Sequence, residues 1–227
     1  MSYLGRFAAL FVSLVGLPLH LLICACIKVA DGGPALYRSR RLGLNGVAFD
    51  MLKYRTMDVR CKAVVRRDFK AIVYADDPRV TAVGRYLRWG IDEFAQVVNI
   101  LRGEMSWIGP RPDEDWMPAN YGPLTRQRLL LTPGITGFAQ VLNSREHSTA
   151  RGYALDIWYQ RHRNLAVDLW IVAVTPLFVL GWKSLGRRKL ARLAECEEFQ
   201  ALERDCIAEI ERAVWSPRSR VNEKEAV

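Results

Sequence analysis

Two adjacent carboxylates, Asp92 and Glu93, stand in a stretch crowded with arginine: Arg79, Arg85, Arg88, Arg102 and Arg111 flank them between Asp77 and Pro112. A free aspartate, with a reference pKa of about 3.9, is ionised near neutrality and needs no base to act as a nucleophile. Its weakness is repulsion from an anionic phosphate, which Mg²⁺ and arginines neutralise. Arginine suits phosphate oxygens because its planar fork donates two bonds at once. The set is suited to phosphoryl transfer through an aspartyl-phosphate, with Asp92 and Glu93 as candidate Mg²⁺ ligands. A plainer reading stands beside it: an Asp at a helix start is commonly a cap, and acids in a first turn are ordinary. The arginines weigh against that reading. Arg85 and Arg88 share a helix face, and Arg111 is bracketed by Pro110 and Pro112, which stiffen its backbone.

The elements that must position these groups are two short helices. Val80, Val83, Tyr86 and Leu87 recur at helical spacing, which predicts a helix over Thr81 to Trp89, stopped by Gly90. Ile91, Phe94, Val97, Val98 and Leu101 form a second apolar stripe that ends at Gly103. Asp92 and Glu93 then fall in the first turn of the second helix, where free N–H groups and the helix dipole favour negative charge.

Upstream, Ala35 to Arg38 and Val47 to Leu52 flank an Asn45-Gly46 pair, a strong hairpin cue. The hairpin leads into Lys53-Tyr54-Arg55, either an ordinary charged strand face or a cationic wall beside phosphates. Downstream, Pro133-Gly134-Ile135-Thr136-Gly137 predicts a loop with unusual backbone angles, a plain connection or one that brings N–H groups to a ligand.

With these residues in view the chain resembles the bacterial sugar transferase family, the monotopic phosphoglycosyl transferases. The matching pieces are Gly33-Pro34, Tyr37, Arg41-Leu42-Gly43, Lys53 to Met57, Asp77-Pro78-Arg79, Asp92-Glu93, Asn99, Gly103 to Ser106 and Gly109 to Pro112. Pro133 to Gly137, Gln140-Val141 and Asp168-Leu169 complete the set. They follow the family's order from about Phe7 to Trp182, which is far more specific than any one motif. Ala95 stands where a proline is common, Tyr54 where Phe is frequent, and Leu142 to Arg145 departs from the family's pattern. These departures bear on substrate choice.

The resemblance implies a two-step reaction. Asp92 attacks the phosphate of a UDP-sugar and expels UMP, and a polyprenol phosphate, of the undecaprenyl phosphate type, then takes the phosphosugar from Asp92. Glu93 helps to place Mg²⁺ or handles protons and charge. Arg79, Arg88 and Arg111 hold phosphates, with Lys53 and Arg55 as weaker candidates. Pro110, Pro112, Gln140 and Arg145 line the substrate site. It also implies the cytoplasmic face of a bacterial inner membrane. Two rivals stay open: a membrane-anchored scaffold without chemistry, and a direct one-step phosphotransferase.

The 227 residues are half hydrophobic and carry a formal net charge of +9. Such a balance fits nucleic acid, anionic lipid or phosphorylated substrates. No nucleic-acid motif is present, and basic residues cluster beside apolar stretches, which favours membrane lipid and nucleotide phosphates. The five cysteines have neither zinc nor redox spacing, which fits a reducing compartment. Phe7 to Ile27 is uncharged, with Pro18 in its middle and Arg6 and Lys28 beyond its ends. Two half-helices bent at Pro18 would enter one leaflet and return, as in the family. A straight span, a cleaved signal and a lipoprotein signal are the alternatives.

Asp58 to Asp76 is mixed in charge and partly helical, with a solvated basic face. Tyr153 to Arg161 reads as an interfacial helix or as a core helix with polar tips. Leu169 to Trp182 reads as an in-plane or half-buried helix, and Arg187 to Lys189 as a basic patch. Leu193, Cys196, Phe199, Leu202, Cys206, Ile210 and Val214 predict one amphipathic helix, which packs on the domain or pairs with another copy in a homo-oligomer. The expected fold is α+β and mainly helical, with an N-terminal re-entrant membrane helix, one β-hairpin and amphipathic interfacial helices. Its parts are a membrane helix over 1–30, a catalytic domain over 31–182, and a basic patch, helix and disordered tail over 183–227.

Overall fold

The computed structural model describes residues 3–58, 60, 77–117, 121–142, 149–182 and 184–214. The expectations for 61–76, for Arg145 and for the tail beyond 214 fall outside these residues. The chain divides into two compact units, one of Ser2–Ser39 with Asp50–Arg102, the other of Arg40–Phe49 with Gly103–Val227.

The first unit begins with α1, Tyr3–Asp31, a single helix with Pro18 inside it. Gly5–Ala30 is long and apolar enough to cross a membrane. Most of its large apolar side chains are exposed, Phe7, Phe11, Leu14, Val15, Leu21 and Leu22 among them, while Ile23 and Ile27 are buried. Those two join Leu52, Tyr54, Leu87 and Ala95 in a small core. The hairpin strands are β1, Leu36–Leu42, and β2, Ala48–Tyr54. Asn45 (φ 56°) and Gly46 (φ 77°) both take the left-handed conformation in the turn, the property that made this pair a hairpin cue.

Helix α2, Ala82–Leu87, is capped by the Thr81 hydroxyl, which accepts from the Gly84 N–H at 2.9 Å. A side chain at Gly84 would overlap the Thr56 backbone, so glycine lets the helix lie against that strand end. Gly90 (φ 105°) then turns the chain in a conformation that other residues rarely adopt. The second predicted helix is divided: a 3₁₀ stretch, Ile91–Gln96, runs into α3, Val97–Arg102. A 3₁₀ stretch has about three residues per turn, so it shifts the phase of the buried face. Ala95, Gln96, Val97, Asn99 and Ile100 are buried, whereas Ile91, expected in the stripe, is exposed.

Asn99 ties α3 to the hairpin. Its Oδ1 accepts from the Leu52 N–H at 2.9 Å, and its Nδ2 donates to the Asp50 carbonyl at 2.8 Å. Asn99→Leu would strand both backbone groups, so a stability loss of about 2 kcal/mol or more is expected as a lower urea midpoint.

The second unit contains a strand pair absent from the sequence expectation. β3, Ser106–Ile108, and β4, Gly134–Thr136, pair in parallel, Ser106 beside Gly134 and Ile108 beside Thr136. Three residues each give too short a run for a periodic signal. Nor do the glycines of the 133–137 segment adopt unusual angles: Gly137 is extended at φ −167°. They permit close approach instead, because a Cβ on Gly109, Gly134 or Gly137 would overlap backbone of the neighbouring strand.

Helices α4, Phe138–Val141, and α5, Thr149–His162, follow. α5 is the core-helix alternative, with Tyr153, Ala154, Leu155, Asp156, Ile157 and Tyr159 buried. α6, Leu165–Val179, is half-buried: Ile171 and Val174 face the core while Leu165, Leu169, Val172 and Val179 are exposed. The C-terminal amphipathic segment forms two helices, α7, Ser184–Ala194, and α8, Glu197–Val214. Phe199, Leu202 and Cys206 of α8 are buried in the core that α5 dominates, so α8 packs on its own domain.

Candidate active site

Within the first unit, β2 carries Lys53 and the 3₁₀ stretch carries Asp92 and Glu93. Lys53 Nζ lies 2.9 Å from Glu93 Oε1 and 3.7 Å from Asp92 Oδ2. All three side chains are largely but not wholly covered, 17–20% exposed, so the acids are confined yet reachable. An ammonium facing two carboxylates offsets part of their mutual repulsion. Lys53, a secondary candidate by sequence, is placed directly on both acids.

The neighbouring cations have distinct roles. Arg88, the C-cap of α2, donates from Nε to the Thr56 hydroxyl at 3.2 Å. Arg79 forms a fork with the buried Asp77 carboxylate, at 2.8 Å from Nε and 2.6 Å from Nη2. That pair fixes the Asp-Pro-Arg turn. Arg55 is buried, with its guanidinium packed against Gly33 where a Cβ would otherwise sit. Next to Lys53, the Tyr54 hydroxyl bonds His20 Nδ1 of α1 at 2.6 Å, and burial pushes its pKa up to about 12.

Pro110, Arg111, Pro112 and Gln140 belong to the second unit. Gly134 N–H donates to the Pro110 carbonyl at 3.0 Å, which fastens the Pro-Arg-Pro segment to β4. Gln140 Nε2 donates to the Ile135 carbonyl at 3.2 Å and so holds the same strand. Sequence reasoning missed a buried ionic group behind this segment, Asp113, Arg128 and Asp156. Its members lie far apart in sequence and share no spacing rule, so only the fold reveals them.

Among the described residues no three His, Cys, Asp or Glu side chains gather around one point. Asp92 and Glu93 are the hard oxygen donors at the site. They fit Mg²⁺, which is commonly held by one or two carboxylates and completes its shell with water and substrate phosphates.

Comparison with known proteins identifies the family. The family described as bacterial sugar transferase matches residues 2–181. The chain is 39% identical over 170 residues to the exopolysaccharide production protein ExoY of Sinorhizobium fredii, covering 70% of this chain and 75% of that one. It is 41% identical over 180 residues to the UDP-glucose:undecaprenyl-phosphate glucose-1-phosphate transferase of Caulobacter vibrioides, covering 74% and 64%. An undecaprenyl-phosphate galactose phosphotransferase of Salmonella typhimurium is 33% identical over 165 residues, 66% of this chain and 34% of the relative.

Proposed function

The chain belongs to the bacterial sugar transferase family, and we propose that it moves a sugar phosphate from a UDP-sugar to a polyprenol phosphate and releases UMP. The observation that carries this reading is the Lys53–Asp92–Glu93 cluster: two confined carboxylates beside the Lys53 ammonium, in the first turn after Gly90. The relatives' names supply the substrate class, a UDP-sugar and undecaprenyl phosphate.

In this proposal the Asp92 carboxylate oxygen forms a bond to the phosphorus bearing the sugar. The bond from that phosphorus to the UMP oxygen breaks, and UMP leaves with the electron pair. An oxygen of the lipid phosphate next attacks the same phosphorus and frees the Asp92 carboxylate. Lys53 holds both acids in place and balances charge. Arg88 and Arg111 are the phosphate-binding candidates, and Glu93 with Asp92 would hold Mg²⁺, which supplies charge neutralisation on the phosphates when bound. We place the chain at the cytoplasmic face of the inner membrane, with α1 entering one leaflet. The cations Arg6 and Lys28 at either end of its apolar run support that placement. Anchoring one site at the surface confines the search for a lipid acceptor to two dimensions.

A screen of UDP-sugars with undecaprenyl phosphate, Mg²⁺ and the full chain tests the reading. UMP release with at least one donor is expected, and silence across the panel would sink it. Trapping a phosphosugar on the protein separates the two-step route from direct transfer.

A further inference from the structure

We propose that Arg128 is a positioning residue for Arg111, acting through the backbone of the Pro-Arg-Pro segment, and that α8, beyond the stretch matched by the family, helps to hold it there. This rests on the reading of Arg111 as a phosphate-binding residue.

Arg128 is 4% exposed, and each nitrogen of its guanidinium is engaged. Nη2 donates to the Arg111 carbonyl at 2.8 Å and to Asp156 Oδ2 at 2.7 Å. Nε donates to the same Asp156 oxygen at 3.1 Å. Nη1 donates to the Asp113 carboxylate and lies 3.0 Å from the Tyr121 hydroxyl. The Tyr153 ring covers the guanidinium at 4.5 Å, and its hydroxyl donates to Asp113 at 2.7 Å. Leu42 N–H donates to the Asp113 carbonyl at 2.8 Å. The segment is thus gripped at the carbonyl of Arg111 and at both ends of Asp113, two residues further on. A rigid fork that bonds a carbonyl and two carboxylates at once fixes direction as well as distance. Sub-ångström placement of a phosphate-binding group matters for rate, because misplacement by about 1 Å can cost about a hundredfold.

Arg128 lies on the 3₁₀ stretch Thr125–Leu130, whose start is capped from α8. Glu209 Oε1 accepts from the Leu124 N–H and Oε2 from the Thr125 N–H, each at 2.9 Å. Gly122 admits that carboxylate, since a Cβ there would overlap it. Arg151 pairs with Glu203, earlier on α8, which holds the helix in register. The contact order is therefore Glu209, the turn at 124–125, Arg128, then the Arg111 carbonyl.

The test is a double-mutant cycle on UMP release by the full chain with the UDP-sugar that the wild type uses. Arg128→Lys keeps the charge but cannot reach all three acceptors. About a ten- to hundredfold loss is expected. Arg111→Ala together with Arg128→Lys should be no slower than Arg111→Ala alone, because the lysine variant acts through Arg111. A merely structural role predicts losses that multiply, and that result would overturn the proposal, as would a folded Arg128→Lys protein with normal kinetics. If circular dichroism shows the lysine variant unfolded, Glu209→Ala takes its place in the cycle. A few-fold loss, abolished in the Arg111→Ala background, is then expected, and an undiminished one overturns the proposal. Failure of the wild type to release UMP removes the premise itself and is visible in the first arm.

Discussion

Asp92→Asn protein loses exchange of labelled UMP into the UDP-sugar by about four orders of magnitude or more, the scale on which removal of a covalent nucleophile is felt. The exchange requires that the bond between UMP and the phosphosugar break and re-form without the lipid acceptor, so it reports the first half-reaction alone. The amide that replaces the carboxylate has neither its charge nor its lone-pair reactivity. Fold should survive: the side chains have the same shape, the position lies in a short first turn after Gly90, and Lys53 retains its shorter contact to Glu93 at 2.9 Å. A melting midpoint within a few degrees of the wild type, with exchange at background, is the expected pair of results. Normal exchange in a folded variant rejects Asp92 as the group that carries the phosphosugar, and absence of exchange in the wild type rejects the covalent route and leaves direct transfer.

Much of this site was legible because its parts are local. The stop at Gly90 and the acids of the next turn follow from rules that act over a few residues. Asn45-Gly46 was readable for the same reason. What the sequence hid depends on distance. Lys53 meets Asp92 and Glu93 across some forty positions, and nothing in either segment alone ranks it above Arg55. The 3₁₀ start of the second helix was hidden too. Apolar spacing there was compatible with an α-helix, and tertiary contacts chose Ala95 and Gln96 over Ile91 as the buried residues. The segment at 133–137 misled for a different reason. Its glycines are needed for clearance between β3 and β4, and clearance cannot be told from conformational freedom without the neighbour in place.

Arg128→Met should cost about 3–5 kcal/mol of stability, the range for removing one partner from a buried ion pair. The apolar replacement approximates the volume, so the loss comes from charge. Asp113 and Asp156 face one guanidinium, and in the variant they would face none. Burial already pushes the Asp156 carboxyl up to about 6, with Arg128 pulling the other way and the Asp113 charge adding to the rise. Taking Arg128 away removes that pull and raises Asp156 further. A carboxyl whose folded pKa exceeds its unfolded value stabilises fully below the unfolded value, near 3.8, and loses that contribution as pH rises through the folded one. The deficit of the variant relative to wild type should therefore be largest at neutral pH and shrink on acidification through pH 6 and below. Urea midpoints of both proteins between pH 5 and 8 read this directly. A deficit independent of pH would mean that packing around Tyr121 and Tyr153, rather than the unpaired carboxylates, sets the cost. Asp156→Asn in the methionine background gives the complementary measurement, since a neutral side chain at that position should recover part of the lost stability at neutral pH.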